Sequence, residues 1–243
     1  MFIDFKNKFI YVRTQKTGSS SVTACLKKGR EFMDFKQIHA GNEFICFDNR
    51  DSKYKMKKEY ILNRSKFVNP HLRPSEIREI FENKRDFDDF IKITTIRNPY
   101  NHALSFFRYQ RYLLFDQLKK YDISIFQYFL RNPLRIIAQY FFSFQNKITF
   151  KLFLIFFYKP YTNHFVYKGK NIIDVFIRME HLEEDLQKFF DQYEIDINVE
   201  IEAINSNGNV NSSDNAKYLY DSWSKQYISN IYREILEKHN YDF

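Results

Sequence analysis

The chain has 243 residues but only 5 Gly, 5 Pro, 2 Cys and 1 Trp. So little glycine and proline argues against a long flexible tether between domains. The two cysteines, Cys25 and Cys46, form neither a disulfide framework nor metal-ligand spacing, and Cys25 is expected in the core. No apolar run approaches the ~18 residues of a spanning helix; Leu152 to Tyr158 is the longest. Asp4, Lys6 and Lys8 interrupt the N-terminal segment, so no secretory leader is read there, and a cytoplasmic location is expected. Internal repeats are also absent.

Aromatic residues are abundant, with 28 Phe and 18 Tyr, and 44% of the chain is hydrophobic. That suffices for one α/β domain with a sizeable core. The formal net charge of +8 suits polyanions: a bisphosphorylated nucleotide, an acidic glycan, nucleic acid or an anionic membrane surface. Lysines solvated on helix faces would account for the same number.

The most telling stretch is Phe9-Ile10-Tyr11-Val12-Arg13-Thr14-Gln15-Lys16-Thr17-Gly18-Ser19-Ser20-Ser21-Val22. A β-branched and aromatic run breaks into a turn of small hydroxylated residues, and a helix is predicted over 22–28. Such a turn offers backbone N–H groups and the positive end of a helix to an anion. Lys16 adds a full charge, and Thr17, Ser19, Ser20 and Ser21 add hydroxyls. Lys16 precedes Gly18, and Arg13 stands where a triphosphatase loop needs its first Gly, so the metal–triphosphate spacing is not met. An ordinary strand–turn–helix with a serine cap would use the same residue types.

A second element repeats the arrangement. Ile91 to Ile96 is strand-like, Arg97-Asn98-Pro99-Tyr100 ends it, and apolar spacing through Ala103, Leu104, Phe107 and Leu114 predicts a helix over 100–114. Arg97 thus falls at a strand's carboxyl end, where open α/β sheets bind ligands, with Ser105 in the helix that follows.

Together these segments resemble the nucleotide-sulfate-dependent sulfotransferases, particularly their carbohydrate-modifying branch. Gln15 to Ser21 is similar to the family's 5′-phosphosulfate loop. Ile96 to Tyr100 with Leu104-Ser105 is similar to its 3′-phosphate segment. His71-Leu72-Arg73-Pro74-Ser75-Glu76-Ile77-Arg78 resembles its intervening His and amphipathic helix. Val175 to Leu186 and the closing Ile231-Tyr232 and Asn240 to Phe243 follow in family order. Two positions depart from the pattern: Gln15 replaces the usual Pro, and the Ser19–Ser20 pair lacks a second Gly or Thr.

The resemblance implies a single α/β domain with a triphosphatase-loop-like parallel sheet flanked by helices, and a helical insert at about 110–165. It implies sulfuryl transfer from 3′-phosphoadenosine 5′-phosphosulfate to a hydroxyl of a glycan or lipid-linked saccharide, with no metal. It assigns Lys16, Thr17, Gly18, Ser19, Ser20, Ser21, Arg97 and Ser105 to the nucleotide. Lacking the family's secretory anchor, the chain reads as a bacterial-type enzyme, cytoplasmic or peripheral at the inner membrane face. The alternatives are a kinase on a similar fold and a basic nucleic-acid-binding protein. Nucleic acid is not the expected partner, since no recognition motif for it is present.

A sugar hydroxyl needs a base, and histidine titrates in the right range. His71 holds the family's position; His39, Glu43, Glu76 and Glu180 are the alternatives. His102 is expected as a neighbouring or surface residue, and His181 and His239 as structural. The aromatic and basic segment 123–161, with Tyr128, Arg131, Arg135 and Lys147, could pack in the core, contact the acceptor or rest on a membrane. The loop from Asn205 to Asn215 reads as a lid or as a surface loop.

Overall fold

A computed structural model of the protein describes residues 2–28, 35–38, 43–46, 71–120, 140–142, 144–197, 199–201 and 214–243. The expectations for His39, Tyr128, Arg131, Arg135 and most of the 205–215 loop lie outside them. The chain is mixed α/β, with a mostly parallel central sheet flanked by helices. It divides into two compact units: residues 1–97 with 161–205, and residues 98–160 with 206–243.

The first unit holds the sheet. β1 (Phe2–Asp4) and β2 (Phe9–Val12) form an antiparallel hairpin, with Phe2 opposite Tyr11. Its turn contains no Gly or Pro. Instead the buried Asp4 carboxylate accepts hydrogen bonds from the Asn7 backbone N–H at 2.9 Å and from Asn7 Nδ2 at 2.8 Å, and Lys8 takes the left-handed conformation at φ 52°. β2 runs parallel to β5 (Ile91–Ile96), and β5 runs parallel to β8 (Val175–Arg178), giving the order β1-β2-β5-β8. Every residue of β2 is buried, the mark of a strand covered on both faces.

Alternate residues Phe9 and Tyr11, with Ile93 and Ile177, join Val22 and Leu26 of α1 (Ser19–Lys28) in one apolar cluster. Leu186, Phe189 and Phe190 of α5 (Leu182–Gln192) complete it at helical spacing. Each of these fully buried side chains contributes about 1.5–3 kcal/mol. Cys25 is buried as expected. A second cluster gathers Phe5, Phe81, Phe87 and Phe90, with ring centroids 5.3–6.3 Å apart.

Three smaller elements belong to this unit. β4 (Glu43–Cys46) pairs antiparallel with β3 (Phe35–Ile38) in a separate sheet. The helix after His71 is the short α2 (Pro74–Arg78). The hairpin β6 (Val166–Tyr167) and β7 (Lys170–Asn171) turns through Lys168 and Gly169, both at positive φ, as a two-residue turn requires.

The second unit is helical: α3 (Pro99–Lys120), α4 (Lys147–Phe156), α6 (Ser222–Ile231) and α7 (Arg233–His239). Pro99 opens α3 as expected, and Asn98 Oδ1 caps it by accepting from Tyr100 N at 3.0 Å. Asn146 and Asp221 cap α4 and α6 through Thr149 N and Ser224 N. α6 and α7 are separated at Tyr232, whose buried hydroxyl meets Tyr158 Oη at 2.9 Å. Tyr158 in turn meets His102 Nδ1 at 2.8 Å. His102 is thus a core residue, not a surface one. Within α4, Phe150 and Phe153 face the core, while Ile148 and Phe156 are about 70% exposed; among the described residues of the aromatic segment, this helix is core on one side only.

Candidate functional site

The carboxyl ends of β2 and β5 set the site. Val12 is aligned with Thr94, so Arg13 and Arg97 leave neighbouring parallel strands at the same edge of the sheet. The loop after β2 leads into α1, whose first turn begins at Ser19, three residues before the predicted start. The Gly18 carbonyl accepts from Ser21 N at 3.0 Å and Val22 N at 3.2 Å, so the glycine caps the helix and all three serines enter its first turn. Their N–H groups lie where an α-helix has no internal acceptors.

Gly18 sits at φ +79°, and a side chain there would meet Met179 Cγ at 3.3 Å. The loop leans on the junction between β8 and α5; its backbone angle favours glycine, and a Cβ there would crowd the Met179 side chain. Lys16 is also left-handed, at φ 60°, a conformation that costs a non-glycine residue on the order of 1 kcal/mol.

A network of buried hydroxyls braces this loop. Thr17 Oγ1 meets Thr95 Oγ1 at 2.8 Å and Thr14 Oγ1 at 2.7 Å. Thr14 Oγ1 donates to the Thr95 carbonyl at 2.7 Å, and Tyr11 Oη meets Thr95 Oγ1 at 2.9 Å. Burial holds the Tyr11 phenol protonated well beyond its ordinary range. Thr17, expected to offer its hydroxyl to an anion, is fully buried and turns that hydroxyl to the network; only its backbone N–H remains for a ligand. Thr17→Val is expected to cost about 1–3 kcal/mol by stranding its partners, seen as a lower urea midpoint at an unchanged slope.

Lys16 and Arg97 come together. Arg97 Nη1 donates to the Lys16 carbonyl at 3.3 Å, and the Arg97 carbonyl accepts from Tyr161 Oη at 2.7 Å. Burial, and next the Arg97 charge, hold the Lys16 ammonium below its ordinary range. Two cations held close and partly desolvated disfavour each other's charged form. Ser105 lies half-buried on α3 in the second unit.

His71 stands beside the end of β2. Its Nδ1 is 3.2 Å from the Arg13 carbonyl, which can only accept, so Nδ1 carries the proton and the neutral ring keeps its lone pair on Nε2. Burial first, and then the Arg13 charge, push the imidazole down to about 3, so it is neutral at physiological pH. The His164 ring lies 6.4 Å from that of His71, and burial lowers its pKa as well. Among the other candidate bases, Glu76 accepts from the Arg73 backbone N–H as part of the α2 cap, and Glu180 is exposed in the turn before α5. Glu43 lies on β4, and its side chain is outside the description.

Sequence reasoning overlooked Arg13. The signal was present: the three parallel strands close on Val12-Arg13, Ile96-Arg97 and Ile177-Arg178. Arg178 is occupied by Asp185, which accepts from its Nε at 2.8 Å, its Nη2 at 2.7 Å and its backbone N at 2.8 Å. Burial alone would raise that carboxyl, but the Arg178 hydrogen bonds hold it below the usual range. Arg13 is 7% exposed, and its one side-chain hydrogen bond among the described residues is a long one, from Nη2 to Ser20 Oγ at 3.5 Å. The neighbouring His164 left no pattern in the sequence that could have marked it. No metal-binding cluster of His, Cys, Asp or Glu occurs among the described residues, and no helix there is long and apolar enough to cross a membrane. No known family model, curated protein or solved structure matches this chain.

Proposed function

We propose that the protein is a sulfotransferase using 3′-phosphoadenosine 5′-phosphosulfate, on a phosphate-loop α/β fold, with a saccharide hydroxyl as acceptor. The observation that carries this reading is the meeting of Lys16 and Arg97 at adjacent strand ends, with 3.3 Å from Arg97 Nη1 to the Lys16 carbonyl. A nucleoside with phosphate groups at both its 5′ and 3′ positions presents two anions of the kind that a lysine and an arginine bind.

In this reading the N–H groups of the Gly18–Ser21 turn hold the 5′-phosphate and Lys16 faces the bridging oxygen. Arg97 takes the 3′-phosphate with its planar fork. His71 Nε2 removes the acceptor's proton as the acceptor oxygen bonds to sulfur. The bond from sulfur to the 5′-phosphate oxygen breaks, its electron pair goes to the phosphate, and Lys16 balances the charge that collects there. The proton stays on His71 until solvent removes it.

Thermal denaturation with adenosine 3′,5′-bisphosphate tests the reading. At one hundred times the dissociation constant, stabilisation of about 2.7 kcal/mol is expected, or roughly 5–10 °C for a chain of this size. Arg97→Ala should remove most of that rise. An equal or larger rise with ATP and magnesium would move the assignment to phosphoryl transfer, and one with an oligonucleotide alone would move it to nucleic-acid binding.

A further inference from the structure

Helix α4 is apolar on two sides. Phe150, Phe153 and Leu154 are buried in the second unit, yet Ile148, Ile155 and Phe156 are exposed and Leu152 is half-buried among them. Positions 148, 152, 155 and 156 stand at helical spacing, so these four form a second stripe on the side away from the core. The surface continues past the helix. Phe157 is exposed, and so is Phe141; each packs its ring on Phe142, at centroid distances of 4.9 and 6.3 Å. Exposed apolar side chains gathered in one patch mark an interaction surface.

The charge around the patch decides what covers it. From Ile123 to Ile173 the sequence has no Asp or Glu, against 30 in the whole chain, so no carboxylate of this segment answers its lysines. Lys147 opens α4 and Lys159 follows its end; both are exposed, and neither is ion-paired among the described residues. Lys151 lies at the margin, with its ammonium 4.5 Å from the centroid of the partly exposed Trp223 ring and its charge felt by Asp221 at the α6 cap. Apolar side chains flanked by cations, with a Trp at the rim, match the boundary of an anionic bilayer. There the apolar groups enter the acyl layer while the lysines stay among the headgroups. A second copy fits poorly, because a two-fold contact brings this carboxylate-free segment and its lysines against themselves.

We propose that the exposed face of α4 is a docking surface for an anionic lipid bilayer, on which the protein rests without crossing it. The proposal draws on neither the nucleotide nor the acceptor, so it stands or falls apart from the sulfotransferase reading.

The test mixes the whole chain with vesicles of phosphatidylcholine alone, or of phosphatidylcholine and phosphatidylglycerol in equal parts, and separates bound protein by flotation. Anionic vesicles should bind at least about 25-fold more tightly, roughly fivefold for each of Lys147 and Lys159, and less so as salt rises. Trp223 is the single tryptophan of the chain, so its emission reports on this face alone. It should shift to the blue on anionic vesicles and be quenched by brominated acyl chains.

Ile148→Gln with Phe156→Gln removes apolar area without altering charge, and should lower binding by about tenfold or more at an unchanged melting temperature. Lys147→Gln with Lys159→Gln should lower it about 25-fold. Lys6→Gln with Lys8→Gln, the same loss of charge in the exposed β1–β2 turn, should lower it less than about fivefold. Failure of the wild-type protein to float with anionic vesicles, or equal binding to both kinds, overturns the proposal and needs no variant. Binding that survives Ile148→Gln with Phe156→Gln also overturns it by placing the contact elsewhere, and equal effects of the two lysine pairs do so by reducing it to net charge. Self-association that the apolar substitutions abolish, without vesicle binding, would assign the face to a second copy and overturn it too. The thermal response to adenosine 3′,5′-bisphosphate, measured on the same preparations, judges the sulfotransferase reading separately.

Discussion

Lys16→Ala is expected to lower turnover by about 10²–10³-fold, the loss seen when a single group facing developing charge is removed. The proposed role depends on the loop that carries the ammonium, which the Thr14–Thr17–Thr95 hydroxyls brace and which Gly18 joins to the start of α1. Stability should move the other way. Lys16 is half-buried and close to the Arg97 charge, so its removal relieves a like-charge contact in the unliganded protein. Alanine keeps a Cβ, so the left-handed strain at φ 60° is the same in both proteins and does not confuse the comparison. The melting temperature of Lys16→Ala should hold or rise while activity collapses, the signature of a residue retained for function at some cost in stability. A variant that loses both together would mark Lys16 as structural.

His71→Ala is expected to lower turnover by about 10²–10⁴-fold, the usual contribution of a positioned base, while leaving the thermal response to adenosine 3′,5′-bisphosphate intact. The pH behaviour adds an independent check. With the folded imidazole near 3 and the unfolded one near 6.5, the unfolded chain takes up the proton first as pH falls. The stability that His71 contributes is therefore complete above about pH 6.5 and is lost progressively towards pH 3. His71→Ala should flatten the urea midpoint against pH across that window, and parallel profiles for the two proteins would show that His71 is not held neutral. The charged and titratable groups that act on it include Arg13, the N-terminal amine and His164. A bound polyanion answers the positive charge around the ring and raises its pKa, so the acidic limb of kcat should lie at higher pH than that of kcat/KM.

The sequence was most legible where strong local patterns coincide with tertiary need. β5 occupies Ile91–Ile96 as read, because a β-branched run ends in Arg97-Asn98-Pro99. Helix α5, read as 182–193, spans Leu182–Gln192 because its apolar spacing has a single solution. The hairpin before the loop has no local signature, since the pair Asp4 and Asn7 makes its turn without Gly or Pro. The break at Tyr232 likewise has no residue that announces it. Within the site, Lys16 and Arg97 could be found because both follow strand ends. The inward turn of the Thr17 hydroxyl depends on Thr95, 78 residues away, and no local pattern encodes it. Arg13 was visible as a residue but not as a problem, because only burial reveals that its charge is unanswered.

The Thr95 hydroxyl has a consequence for assembly of the sheet. It is shared by Tyr11, Thr14 and Thr17, in a sheet whose other contacts are largely apolar and would tolerate misalignment. Sliding β5 by one residue against β2 would turn Thr95 to the opposite face and leave several buried oxygens unsatisfied at once. A handful of hydroxyls thus proofreads strand alignment, and a chain that pairs wrongly here is penalised in buried polar atoms rather than in apolar contact.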